Sequence, residues 1–250
     1  MSVVTIALLA VSTFVVGALI GTVGVGGVLL APALTYLAGF DIHVAMATSM
    51  WAFMFTGITG TAAYARTGTL DWPSGVRMIV GLVPGALLGA WANTLLSQGT
   101  LKVILVVLLC ASGLYALSAP RADGAGTVLS TRALGAIGLG IGFGSGLTGT
   151  GGPVLTVPTL LFVGMPALRT VGISQFTQVP VAGFGTIGFL LSGEVDLLLG
   201  LGLGVLASLG VVVGSRLAHA IRARALRAVV AGACIVVGVA IALDALVRLS

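Results

Sequence analysis

Two glycine clusters and one polar patch carry the residues of this chain that could do chemistry. The clusters are GTVGVGG (21–27) and GSGLTGTGG (144–152), each followed by proline: Pro32 after the first, Pro153 and Pro158 after the second. A short helix beginning at Val28 or Pro153 would aim unpaired N–H groups and a positive dipole end at whatever lies before it. That makes an anion site without any charged side chain. The candidate lining is Gly24, Gly26 and Gly27 in the first cluster and Thr150, Gly151 and Gly152 in the second, with the three prolines in structural, helix-breaking roles. The other reading of such glycines is close helix packing, the role assigned to Gly85/Gly89 and Gly210/Gly214.

The polar patch is ATSM (47–50) and its counterpart GISQFTQVP (172–180). It contributes Thr48, Ser49, Ser174, Gln175 and Gln178 as candidate substrate contacts. Ser174, Thr177 and Gln178 stand at i, i+3 and i+4, which puts them on one helix face. Polar groups at membrane depth face a bundle interior or a water-filled path, where they contact a substrate or hydrogen-bond between helices.

Membrane depth follows from composition. Of 250 residues, 58% are hydrophobic and 7% charged, and the mean hydropathy is +1.23; no water-soluble surface can be made from the remainder. Apolar segments of roughly 18 to 22 residues recur, the length a hydrocarbon core of about 30 Å demands of a helix. Runs such as VILVVLLCASGLYAL lack the alternation of a β-barrel, so the chain is read as an all-α integral membrane protein. Residues 3–20 have no basic leader and are read as the first membrane element. Cys110 and Cys234 lie in apolar runs and indicate neither disulfide nor metal. The eleven basic residues are scattered over helix ends, which argues against nucleic-acid binding.

The chain is also a repeat. Shifted by 125 residues, twelve of the sixteen glycines in the first half fall on a glycine, where the 23 glycines of the second half predict about three by chance. Ser49 falls on Ser174 and Asp71 on Asp196. The organisation is an N-terminal repeat, 1–120, a linker, 121–131, and a C-terminal repeat, 132–250, forming one transmembrane domain. Each half reads as an apolar segment (3–20; 133–147), a glycine cluster, a short apolar segment (28–38; 153–163) and three long helices. These are expected near 42–63, 74–96 and 100–119, then 168–191, 197–216 and 228–247.

Two topologies compete. If the segments flanking a glycine cluster cross the membrane together, each half has four crossings and the halves are parallel. If they enter and return, each half is odd and the halves are inverted. The inverted arrangement gathers Arg66, Arg77, Arg121, Arg132, Arg169, Arg216, Arg222, Arg224 and Arg227 inside, against Lys102 and Arg248 outside; the parallel one leaves almost no bias. Basic residues favour cytoplasmic loops, so inverted repeats with both termini outside are expected. That architecture is characteristic of secondary transporters, with the site where the repeats meet.

The acids, Asp41, Asp71, Asp123, Glu194, Asp196 and Asp244, all map to loops or helix ends, so a cation pathway lacks its usual carboxylate. An anionic or neutral substrate fits better. Asp71 and Asp196 read as N-caps, with Pro73 in the first turn. His43 and His219 sit at boundaries in structural or solvated roles, and Trp72 reads as an interface anchor. No GxSxG or HExxH occurs, and no strand precedes the glycine runs as a dinucleotide site requires. No catalytic residue, metal or cofactor is indicated. Small-residue faces serve internal packing or a homo-oligomer equally well.

GVGGVLLAP, AMATS, GTLDW and GALLG in the first half, with GTGGPVLTVP, VGISQ, GEVD and GVVVG in the second, resemble the TauE/SafE family of bacterial sulfite and organosulfonate exporters along essentially the whole chain. The second half departs by one extra residue between glycines and proline, and by IS where the first has TS. The resemblance implies a multi-pass permease of the bacterial inner membrane that exports small sulfur-containing anions such as sulfite or sulfoacetate. The alternatives are a permease of the same fold for thiosulfate or a carboxylate, an importer, or a non-transporting membrane scaffold.

Overall fold

A computed structural model describes residues 3–24, 26–118 and 129–217, together with 232, 235 and 239. The linker core and all but those three positions of the expected last helix, 228–247, lie outside the described residues, as do Arg222, Arg224, Arg227, His219 and Cys234.

The described chain is helical, with no strand. Helix α1 spans Val3–Val23, and a 3-10 turn, Gly27–Leu29, leads into α2, Leu30–Ala38. The rest of the first half is α3 (Ile42–Arg66), α4 (Trp72–Leu95) and α5 (Gln98–Ser118). The second half gives α6 (Thr131–Thr148), α7 (Pro153–Phe162), α8 (Ala167–Leu190) and α9 (Leu197–Leu217). Among the described helices, α1, α3, α4 and α9 are long and apolar enough to cross a membrane.

Short side chains set the helix starts. The Asp71 carboxylate accepts from Ser74 N–H at 3.2 Å and Asp196 from Leu199 N–H at 2.9 Å, so both are N-caps as read from sequence. Asp41 does the same for α3, accepting from His43 N–H at 2.8 Å. The GSGLTG stretch, Gly144–Gly149, has the spacing of a dinucleotide fingerprint but ends a helix instead of opening one.

After each glycine cluster the chain doubles back. A Cβ added to Gly26 would lie 2.9 Å from the Val16 carbonyl oxygen, ten residues earlier, and one on Gly144 would lie 2.6 Å from Leu155 Cδ1. Each half therefore opens with a helical hairpin: α1 with α2, and α6 with α7.

Packing between the halves exchanges partners. Gly17 and Gly21 of α1 lie against Ala207 and Val211 of α9, while Gly142 and Gly146 of α6 lie against Leu82 and Ala86 of α4. These contacts are equivalent under the 125-residue shift. Both pairs run parallel and approach so closely that a Cβ on Gly89 or Gly214 would meet a backbone carbonyl of the neighbour. The packing role expected for Gly85/Gly89 and Gly210/Gly214 is what these positions perform. Helices α3 and α8 cross at the centre of the core, with α9 against α3 and α4 against α8.

Candidate functional site

The two glycine breaks belong to different halves and meet. At the first, Gly24 has φ +74°, a left-handed conformation that L side chains adopt at a cost of roughly 1–2 kcal/mol. A Cβ there would sit 2.8 Å from Val157 Cγ2 and 3.3 Å from Ser174 Oγ, so this break faces α7 and α8. At the second break, Gly149 rests on Met46 of α3, and Gly151, with φ +74°, rests on the Phe53 ring, 2.7 Å from a built Cβ to Cδ2. Between them, a Cβ on Gly27 would lie 2.9 Å from the Thr150 carbonyl oxygen and 3.2 Å from Phe53 Cζ. Phe53 is thus held between the breaks, fully buried.

A break frees backbone carbonyls that the next turn would have bonded. In α1 one side chain meets such a carbonyl, at Gly21, and another adds a second bond to the Ile20 carbonyl, which already accepts from Gly24 N–H at 3.0 Å. The Gln175 amide donates to the Ile20 carbonyl at 3.2 Å, and the Tyr64 hydroxyl donates to the Gly21 carbonyl at 3.0 Å. Across the centre, Gln178 Nε2 donates to the Phe53 carbonyl at 2.8 Å and to Thr56 Oγ1 at 2.6 Å. These bonds tie α8 to α1 and α3, as buried polar groups require. Gly60 makes room for the Gln175 side chain, since any Cβ there would overlap it.

Every polar side chain expected at the site is buried: Thr48, Ser49, Thr150, Ser174, Gln175 and Gln178. They do not act alike. Ser174 Oγ turns back to the Val171 carbonyl of its own helix at 2.8 Å, and Thr177 to Ile173 at 2.9 Å. A short hydroxyl reaches its own preceding turn more easily than a neighbouring helix, so neither makes the interhelical bond that the patch allowed. Thr48 faces away from the breaks, accepting from Asp196 N–H at 3.1 Å where α9 begins. Ser49 Oγ, Gln175 Oε1 and Gln178 Oε1 are buried without a partner among the described residues, one hydroxyl and two amide acceptors whose desolvation costs about 1–3 kcal/mol each if left unmet.

Neither Gly26, before the 3-10 turn, nor Gly152, before α7, offers a side-chain cap to the first N–H groups. Pro153 occupies the first turn of α7, where its missing N–H costs nothing, while Pro158 lies inside α7 and Pro32 early in α2. Among the described residues no group of three or more His, Cys, Asp or Glu could hold a metal ion.

Phe53, Thr56 and Tyr64 belong to this centre and were not singled out by their residue types. The repeat holds the missing signal for one of them: Phe53 is the counterpart of Gln178, 125 residues apart. The site is therefore asymmetric about the repeat, with Gln175 and Gln178 in one half where the other has Met50 and Phe53.

A family model described as "Sulfite exporter TauE/SafE" matches residues 8–241. The chain is 28% identical over 180 residues to "Probable membrane transporter protein YunE" of Bacillus subtilis (strain 168), a match covering 60% of this chain and 66% of that one. It is 32% identical over 110 residues to "Probable membrane transporter protein ORF9" of Sinorhizobium sp, covering 44% and 42%. The chain thus spans less than two thirds of either relative's length. No solved structure matches it.

Proposed function

Because the chain belongs to the TauE/SafE family, we propose that it is a secondary transporter that exports small sulfur-containing anions, sulfite or organosulfonates, across the bacterial inner membrane. The observation that carries this reading is the meeting of the two glycine breaks at Phe53, with uncapped helix starts beside it. Backbone N–H groups in a buried interior bind an anion without the desolvation cost of a buried cation.

Inverted repeats complete the reading. Each hairpin enters and returns, which leaves an odd number of crossings per half. That Arg66 and Arg216, at the ends of α3 and α9, line one cavity supports inverted halves, in which both fall on the same face. Rocking one half against the other would then open the centre to either side in turn. Expelling one negative charge from an inside-negative cell gains about 2.3 kcal/mol per 100 mV.

The test is flux from proteoliposomes loaded with labelled sulfite, with unlabelled sulfoacetate, thiosulfate and acetate as competitors. Inhibition by sulfoacetate but not acetate supports a sulfur-oxyanion exporter. Inhibition by acetate alone transfers the site to carboxylates.

A further inference from the structure

The ends of α3 and α9 enclose a cavity of about 490 Å³ whose lining includes Arg66, Arg216, Tyr64, Thr59, Thr67 and Ser215. A second cavity, of about 370 Å³, lies between α4 and α8 and is lined by Leu87, Leu88, Trp91, Gly188, Leu191 and Ser192. The two are counterparts under the 125-residue shift. Arg66 corresponds to Leu191, Thr67 to Ser192, and Arg216 to Trp91. Duplication kept the cavity, and both guanidiniums stand in one copy only.

Arginine at a helix end complements the dipole wherever the end lies. Here two such ends converge on one recess, and among the described residues no carboxylate pairs with either guanidinium. The recess also adjoins the centre. Tyr64 lines it, and the same side chain donates its hydroxyl to the Gly21 carbonyl in the last turn before Gly24. Its counterpart, Phe189, is buried and has no hydroxyl to make such a bond.

We propose that the Arg66–Arg216 cavity is an oxyanion-binding port, from which a sulfite- or sulfonate-class anion passes Tyr64 to reach the first glycine break. A guanidinium offers paired donors that fit two oxygens of such an anion. The apolar counterpart is the release side, where no fixed charge holds the anion back. The passage, though not the binding, rests on the transport reading.

The deciding measurement is sulfite binding to the full-length protein in maltoside micelles, which contain no phosphate. The Arg66→Gln/Arg216→Gln pair weakens binding by about tenfold or more, the size of losing a charge-assisted hydrogen bond. The Arg66→Lys/Arg216→Lys pair retains most of the affinity and shows that the fold survives. Trp91→Leu, in the counterpart cavity, changes it less than about twofold. Unchanged affinity in the glutamine pair overturns the proposal. So does a glutamine pair that loses only co-purifying phospholipid, because the cavity then belongs to a lipid headgroup. Arginine-dependent binding by a protein that shows no flux refutes the transport reading and leaves the binding site standing.

Discussion

Gln178 and Phe53, equivalent positions of the two repeats, are bonded to each other: the glutamine amide donates to the phenylalanine carbonyl at 2.8 Å. The halves are thus joined at the point where duplication left them different. Gln178→Leu removes this bond and the one to Thr56 Oγ1, at a cost of about 1 kcal/mol, typical of an interhelical hydrogen bond in a membrane. Thermal unfolding in detergent should show that small loss while sulfite flux falls by more than about tenfold, because the bond holds Phe53 in place where the two breaks meet. Flux that falls no further than stability would make Gln178 a purely structural link.

Gly151 gives a sharper separation of fold from function. Gly151→Ala forces an L residue to φ +74° and brings its Cβ to 2.7 Å from Phe53. Roughly 1–3 kcal/mol of strain follows, centred on the meeting point of the breaks. The variant should still reach the membrane, as size-exclusion elution and protease resistance would report, yet have little flux.

The packing glycines should behave in the opposite way. Gly89→Leu drives a side chain into the Phe143 carbonyl and separates α4 from α6, so the folded protein should fail to accumulate. Gly140→Ala meets nothing within 4 Å and should leave yield and melting temperature unchanged or slightly raised, given alanine's helix preference of up to about 1 kcal/mol over glycine. Comparing the yields of the two variants checks the α4–α6 interface.

The caps provide a stability control away from the centre. Asp71→Ala and Asp196→Ala each remove an N-cap bond and should cost about 0.5–2 kcal/mol. Flux per folded molecule, normalised to the monodisperse fraction, should stay within about twofold of the unsubstituted protein, since neither carboxylate touches the breaks.

How far the sequence reached depended on the range of each interaction. Asp71 and Asp196 were legible because a cap is decided within three residues. The glycine breaks were legible because few other patterns place GxGG twice at a 125-residue interval in apolar sequence. Thr48 was misplaced in emphasis: its type suits a site, but only the fold shows it fastening the start of α9. Phe53 carries no polar atom on its side chain, and its importance lies in a backbone oxygen and a ring wedged between breaks from different halves. Arg66 and Arg216 read as orientation signals 150 residues apart; that they share a recess with Tyr64 follows from α3 and α9 running side by side.

On the proposed reading, a sulfur oxyanion passes between the paired breaks. Labelled sulfite efflux from proteoliposomes, compared between the unsubstituted protein and Gly151→Leu at equal folded content, tests it most directly. Saturable efflux is expected from the former and background leakage from the latter. Equal efflux from both would contradict that reading.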